Sequence, residues 1–441
     1  MTLLSSVARD GSRSGAVSGR IDRYDVVIVG AGHGGAQAAI ALRQARFGGS
    51  IALIGAEPDL PYERPPLSKE FLCGDRLFER MLIRPAEFWQ AQGIQLIGGR
   101  TVFAVDAAAH RVTLEDGERV EYGRLVWAAG GSPRPLTCPG ANLPGVHTVR
   151  TRADVERIRN ELGAVTRVVI VGGGFIGLEA AATLRKVGKH VTVLEAQDRV
   201  LARVAAEPLS RFYEAEHRSR GVAVRLGANI ERIQGAQGRV SGVTLLSGET
   251  LPAEMVIVGI GITPAVGPLI AAGARGENGV AIDANCRTSL SDVFALGDCA
   301  LHASAFADGA RVRIESVQNA LDHAALIARH FTGAPPASSG VPWFWSNQYD
   351  LRLQTIGLSV GHDDLVLRGE PASKRFSLVY LKSGRVVALD CINAAADYMQ
   401  GRSLIVARAC VDRTRLADPA VPLKALIEAP GRVGSGAPRG E

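Results

Sequence analysis

The sequence predicts an α/β protein built on two parallel sheets. Three observations carry this: an internal repeat of strand, glycine turn and helix; a second apolar strand after each copy; and a length that leaves room for both units and more. The 441 residues are 46% hydrophobic and 21% charged. That is ordinary globular composition, and it excludes a disordered, collagenous or small disulfide-stapled chain. At roughly 150 residues per domain the prior is two to four domains, ample for a large buried core.

The repeat comes first. Residues 26–43 read VVIVGAGHGGAQAAIALR and residues 168–185 read VVIVGGGFIGLEAAATLR, identical at 11 of 18 aligned positions. Each copy opens with four β-branched residues, the continuous apolar run of a strand buried in a parallel sheet. A Gly-rich turn follows, then an Ala/Leu pattern of helical period. The glycines are Gly30, Gly32 and Gly35 in the first copy and Gly172, Gly174 and Gly177 in the second. In such a turn the first glycine makes the bend, the second admits a pyrophosphate to the backbone, and the third lets helix and strand pack closely. The helix N-terminus then offers unpaired N–H groups to the phosphates.

The second strands come next. IALI at 51–54 leads to Glu57, and VTVL at 191–194 leads to Glu195. A carboxylate at that place accepts hydrogen bonds from a ribose hydroxyl. A lone glycine turn could be a ligand-free βαβ corner; the same context twice predicts two dinucleotide sites. Glu195 would repel a 2′-phosphate, so the second site is expected to prefer NADH, with Arg199 nearby pulling the other way. NADH gives up two electrons and needs an acceptor. FAD is the other dinucleotide such folds hold, so the first site is expected to take it.

Other features narrow the function. The net charge of +6 comes with no run of five like charges, so no nucleic-acid arm is indicated, and a mild basic excess suits an acidic protein partner. The six cysteines, at 73, 138, 286, 299, 391 and 410, contain no C-x-x-C spacing. This argues against a zinc module, a contiguous redox dithiol and a secreted disulfide framework, and for reduced thiols in a cytoplasm. The nine histidines show no ligand spacing, and no metal is assigned. The long uncharged stretch from Met255 to Ala274 is broken by Gly259, Gly261, Pro264 and Pro268; it reads as a buried strand followed by a loop, and no membrane span is expected. Residues 1–22 and 429–441 read as disordered tails.

Further segments are PYERPPLSK (61–69), GGGFIGLEAA (172–181), ALGDCA (295–300), RIESVQNA (313–320) and PWFWSNQY (342–349). On these the chain resembles, from about residue 23 to residue 428, the FAD-dependent, NADH-using ferredoxin reductases that serve bacterial cytochrome P450 and Rieske oxygenase systems. The resemblance implies a glutathione-reductase-like α/β architecture, with two Rossmann-type dinucleotide-binding domains plus an α+β C-terminal domain. FAD would be held by 23–131 and 260–337, NADH by the inserted 132–259, and 338–428 would complete the fold.

The resemblance also implies site residues. Gly34, Lys69, Val102, Arg150, Asp298 and Val317 would contact FAD, with Trp345 packed close to the flavin. Relatives often carry an acidic residue at the place of Ala56, so the ribose contact here shifts to Glu57 or is lost. Lys69 and Glu179 would pair beside flavin N5, and Glu315 would accept a hydrogen bond from the nicotinamide carboxamide. The plain alternatives are a solvent-exposed loop lysine and ordinary carboxylates. Electrons would pass singly to an acidic [2Fe–2S] ferredoxin near Trp345, with Arg311, Arg313 and Lys424 as candidate docking cations. A rubredoxin reductase or an NADH oxidase would use the same cofactors. A disulfide reductase is disfavoured by the cysteine spacing, and an NADH-sensing flavoprotein of signalling is the reading from another class.

Overall fold

The apolar run ending in VVIV forms the strand Asp22–Val29. It is the middle of a seven-stranded sheet and runs parallel to Ile51–Ile54 on one side and to Arg119–Trp127 on the other. The structure, a computed structural model, describes residues 22–427 apart from 336, 338 and 339. The two expected tails fall outside the described residues, with one correction. Asp22 is no tail residue: it pairs with Val120 and opens the first strand.

Alternate residues of this strand go to opposite faces, as a pleated strand requires. Val26 and Ile28 join one apolar cluster with the helix His33–Gln44, and Val27 and Val29 join another on the far face. Ile94–Ile97 extends the sheet in parallel, and the antiparallel strands Arg111–Leu114 and Val102–Asp106 complete the other end. The strand Val293–Ala295 pairs with Leu125–Trp127 in the same sheet, although a whole second sheet separates the two in sequence.

That second sheet is five-stranded and all parallel, in the order Ala223–Arg225, His190–Leu194, Arg167–Val171, Met255–Val258, Val146–Thr148. A three-stranded antiparallel sheet, Ile230–Ala236, Arg239–Leu245 and Thr250–Pro252, packs beside it. The stretch after Met255–Val258 is more than a loop: it carries a short strand, Ile262–Pro264, and a short helix, Gly267–Ala271. Pro268 sits in that helix's first turn, where its missing N–H costs nothing.

The C-terminal region is an antiparallel five-stranded sheet built from Trp343–Gln348, Leu351–Gly357, Arg385–Ile392, Arg375–Lys382 and Asp364–Glu370. The helix Ala395–Val406 lies on it. One apolar cluster joins all the parts: Leu67 and Phe71 from the first, Ile170, Leu178 and Tyr213 from the second, Leu353, Phe376 and Leu378 from the third. Among the described residues no helix is long and apolar enough to cross a membrane.

Candidate active site

The two glycine turns have nearly the same geometry. Gly30 and Gly172 have φ of +107° and +108°, which L side chains rarely adopt. A Cβ on Gly30 would lie 2.3 Å from the Ala128 carbonyl, and one on Gly172 would lie 2.4 Å from that of Gly259. Gly35 and Gly177 are closed off by the carbonyls of Gly30 and Gly172, at 1.8 and 2.1 Å from a built Cβ. Gly34 has an ordinary φ, and a Cβ there would lie 2.4 Å from a Leu296 methyl, so a side chain would make Leu296 shift.

Gly32 and Gly174 are the exceptions. Both have ordinary extended backbones, and neither supplies a side-chain cap to the helix it opens. A Cβ on Gly174 would meet nothing within 4 Å, and one on Gly32 would meet only the Arg64 guanidinium at 3.7 Å. The fold does not need glycine at either position. Open space facing uncapped helix N–H groups fits a phosphate that must come close.

Around the first turn the structure gathers Glu57, Arg64, Arg150 and Asp298. Arg64 donates to Glu57 Oε1 and to the Arg150 carbonyl, each at 2.5 Å, and Tyr62 donates to Glu57 Oε2. Ala56 is exposed beside them. Asp298 lies on the turn Gly297–Cys299, its carboxylate 3.9 Å from Arg150. Burial raises the Asp298 pKa, and Arg150 works against that rise. Gly297 N–H donates to Nδ1 of the buried His323. Val102 is a core residue at the start of its strand, so it can present only main chain to a ligand. Val317 opens the helix Val317–Phe331, which Ser316 caps by accepting from the Asn319 N–H.

Lys69 and Glu179, 110 residues apart, meet: Nζ donates to Oε2 at 2.6 Å. Lys69 follows the 3₁₀ turn Pro65–Ser68, and Glu179 lies on Phe175–Lys186, the helix of the second glycine turn. The carboxylate is only 3% exposed. It also accepts from Ser68 Oγ at 2.6 Å and from Ser346 Oγ at 2.7 Å. A buried charge survives only when paired and hydrogen-bonded in this way. Lys69 also donates to the Pro65 carbonyl, which leaves one of its three N–H bonds free for a ligand.

Trp345 is half-buried, one strand position before Ser346. With Trp343, Asn347, Asp350 and Arg352 it lines an open groove of about 810 Å³. Glu315 is exposed and ion-paired to Arg313 at 2.6 Å. One expectation fails here. Arg313 is no docking cation: its side chain is 9% exposed and donates to the Asp298 carbonyl.

In the second turn, Glu195 Oε2 accepts from Gly173 N–H at 2.7 Å and Oε1 from Gln197 N–H at 2.9 Å. Arg199 is committed elsewhere, to the carbonyls of Ala202 and Ala205 and to Ser210 Oγ. Among the described residues the six cysteines are all free, and no group of three or more His, Cys, Asp or Glu converges as a metal would need. Arg64, Ser68, Ser346 and His323 were not singled out from the sequence. Arg64 and Ser68 stand inside PYERPPLSK and Ser346 inside PWFWSNQY, and those segments were the only signal.

Two glycine turns, each on the parallel strands of its own sheet, joined by a buried Lys–Glu pair and with no disulfide among the described residues, define a two-dinucleotide oxidoreductase. Comparison with known proteins makes this specific. Residues 24–324 match the pyridine nucleotide-disulphide oxidoreductase family and residues 343–427 match a reductase C-terminal family. The 5,5′-dehydrodivanillate O-demethylase ferredoxin reductase subunit of a Sphingobium species is 56% identical over 92% of this chain and 99% of that one. Putidaredoxin reductase of Pseudomonas putida is 41% identical over 92% of this chain and 97% of its own. The crystal structure of the covalent putidaredoxin reductase–putidaredoxin complex superposes with a TM-score of 0.88, covering 92% of this chain and 98% of that one at 40% identity. The chain therefore belongs to the pyridine nucleotide-disulphide oxidoreductase family and, within it, to the ferredoxin reductases, whose cofactors are FAD and NAD(P)H.

Proposed function

We propose that this reductase takes electrons from NADH through FAD and delivers them singly to an acidic [2Fe–2S] ferredoxin, which serves a cytochrome P450 or Rieske oxygenase in the cytoplasm. Each NADH oxidised reduces two ferredoxins and releases one proton. FAD, when bound, supplies the conversion between a two-electron donor and one-electron acceptors. The chain's own residues bind, orient and hold charge.

In this reading 23–131 and 260–337 hold FAD, 132–259 hold NADH, and 338–428 cover the flavin side. Gly32 admits the FAD pyrophosphate to a turn that Gly30, Gly34 and Gly35 keep tight, with Arg64 and Arg150 as its counter-charges. Glu57, Val102, Asp298 and Val317 hold the remainder. Gly172, Gly174 and Gly177 take the NADH pyrophosphate. Glu195 holds the adenine ribose, exchanging its two backbone donors for ribose hydroxyls. Since Arg199 is tied into its own loop, no counter-charge for a 2′-phosphate comes from it, which favours NADH over NADPH. Glu315 turns from Arg313 to the nicotinamide amide. Trp345 and its groove form the exit, with the exposed Arg311 and Lys424 as steering charges.

The observation that carries the reading is the Lys69–Glu179 pair. It brings a fixed cation from the first glycine-turn unit to the helix of the second, where two cofactors would meet, and no cysteine pair stands near to take the electrons instead. The test is NADH consumption by the FAD-loaded protein with cytochrome c as sink, with and without a bacterial [2Fe–2S] ferredoxin. Strong ferredoxin-dependent stimulation is expected. Equal rates with several such ferredoxins, alongside normal bleaching of the flavin by NADH, would move the acceptor to another class.

A further inference from the structure

Glu179 is the end of a longer line of buried polar groups. Its Oε1 accepts from Ser346 Oγ at 2.7 Å, and Ser346 Oγ accepts from Gln348 Nε2 at 3.2 Å. Gln348 Oε1 lies 2.9 Å from His217 Nε2, and His217 Nδ1 lies 3.1 Å from the Tyr349 hydroxyl. Ser346, Gln348 and His217 are each at most 1% exposed. The line runs from the helix of the second glycine turn, through the first strand of the C-terminal sheet, to the helix Glu207–Ser219.

The charge at one end fixes the sense of every bond. A Glu179 carboxylate has no proton to give, so Ser346 must donate its only one. Ser346 can then only accept from Gln348, which turns the amide nitrogen toward the serine and the amide oxygen toward His217. His217 therefore carries its proton on Nε2 and leaves Nδ1 bare to accept from Tyr349. Burial keeps the ring neutral, lowering its pKa to about 4, so it has one proton to place. The charged groups around it are Glu216 and Arg220, beside Gln348 and Tyr349.

Tyr349 adds a second observation. With Asp350 it makes the two-residue connection after Gln348, and its φ is +56°. Glycine is the default where a hairpin needs that conformation, and a bulky residue there is strained. Its ring lies beneath the Arg220 guanidinium at 4.3 Å, with the hydroxyl aimed at His217. At the other end, Lys69 and Ser68 both donate to Oε2, leaving Oε1 to Ser346.

We propose that Gln348 and His217 are positioning residues that hold Glu179 ionised against Lys69, and that the tautomer of His217 follows the charge on Glu179 across three hydrogen bonds. The functional part rests on the reading of Lys69 and Glu179 as the pair that faces the flavin. Neither positioning residue touches a reacting atom. Their effect is to direct a third donor onto the carboxylate, so that it stays an anion and keeps the ammonium in place.

The test is ¹⁵N NMR of the histidine-labelled, FAD-loaded enzyme at neutral pH, with the His217 signals identified by their loss in His217→Gln. The native enzyme should show Nε2 protonated and Nδ1 bare. In Glu179→Gln, Lys69 and Ser68 hold the amide oxygen on their side, the amide nitrogen faces Ser346, every bond reverses, and the proton moves to Nδ1. A native Nδ1–H tautomer, or an unchanged tautomer in Glu179→Gln, overturns the proposal. If Glu179→Gln does not fold, the native measurement decides alone.

A second measurement addresses the positioning role. In Gln348→Leu the maximal rate of flavin reduction by NADH should fall about tenfold while the KM for NADH and the FAD content stay unchanged. Besides the serines, Glu179 faces the Lys69 ammonium and the Tyr213 phenol; neither changes in this variant. An unchanged maximal rate, or a loss carried by KM alone, overturns the role. None of these readouts uses ferredoxin, so an error in the acceptor would show separately, as the predicted tautomer without ferredoxin-dependent turnover.

Discussion

Arg64 and Glu57 face each other across the mouth of the first glycine turn, 2.5 Å apart, with the guanidinium Nε 3.7 Å from where a Cβ on Gly32 would stand. The pair explains how a chain with alanine at position 56 still has a fixed carboxylate there. Glu57 is held by Arg64 and by the Tyr62 hydroxyl rather than left to roam.

Arg64→Ala should therefore weaken FAD binding. Losing charge-assisted hydrogen bonds worth about 1.5–3 kcal/mol corresponds to a 10- to 100-fold rise in the FAD dissociation constant, read by titrating the apoprotein with FAD. Unaltered affinity would remove Arg64 from the phosphate site.

Lys69→Met should both impair flavin reduction by NADH and destabilise the protein. Stripping one partner from a buried pair costs about 3–5 kcal/mol. Adding Glu179→Gln removes the stranded charge, so the double variant should be less destabilised than the sum of the singles. Urea unfolding of all four forms measures the coupling; strict additivity would mean the two groups do not interact.

Glu195→Arg should turn nucleotide preference toward NADPH. The ratio of kcat/KM for the two nucleotides, taken with the same acceptor, is the measurement. A ratio that does not move takes Glu195 out of the ribose site.

Acid should destabilise the fold through its buried histidines, beginning as pH falls below about 6.5. Burial lowers the pKa of His217 to about 4 and that of His323 to about 3, against about 6.5 in the unfolded chain. Between those values the unfolded state binds the extra protons. Stability is thus complete above about pH 6.5 and falls as pH drops toward 4 and 3, by a few kcal/mol for each ring. Urea midpoints from pH 7.5 to 4.5 should decline over this window. A flat profile would contradict the burial of both rings as neutral acceptors.

The glycine turns were legible because their logic is local: strand, bend and helix lie within 18 residues, and the φ of Gly30 or Gly172 follows from that bend alone. Lys69 and Glu179 were legible only through resemblance, since nothing in the spacing of two charges 110 residues apart says that they touch. Ser346, Gln348 and His217 were illegible. Each is an ordinary polar residue until a strand and a helix more than 120 residues apart in sequence bring them together. Arg313 was misjudged for the same reason: a basic residue reads as surface unless its carbonyl partner, here Asp298, is known.

The pairing of Val293–Ala295 with Leu125–Trp127 has a consequence for the nascent chain. The ribosome makes the central strands of the first sheet early, but the apolar edge Leu125–Trp127 stays uncovered until another 170 or so residues have been made, on the order of ten to thirty seconds of synthesis. Meanwhile the whole parallel sheet ending at Met255–Val258 can assemble. An open apolar edge is a template for wrong pairing, so this interval, rather than the finished enzyme, is where synthesis is most exposed to aggregation and most dependent on chaperones.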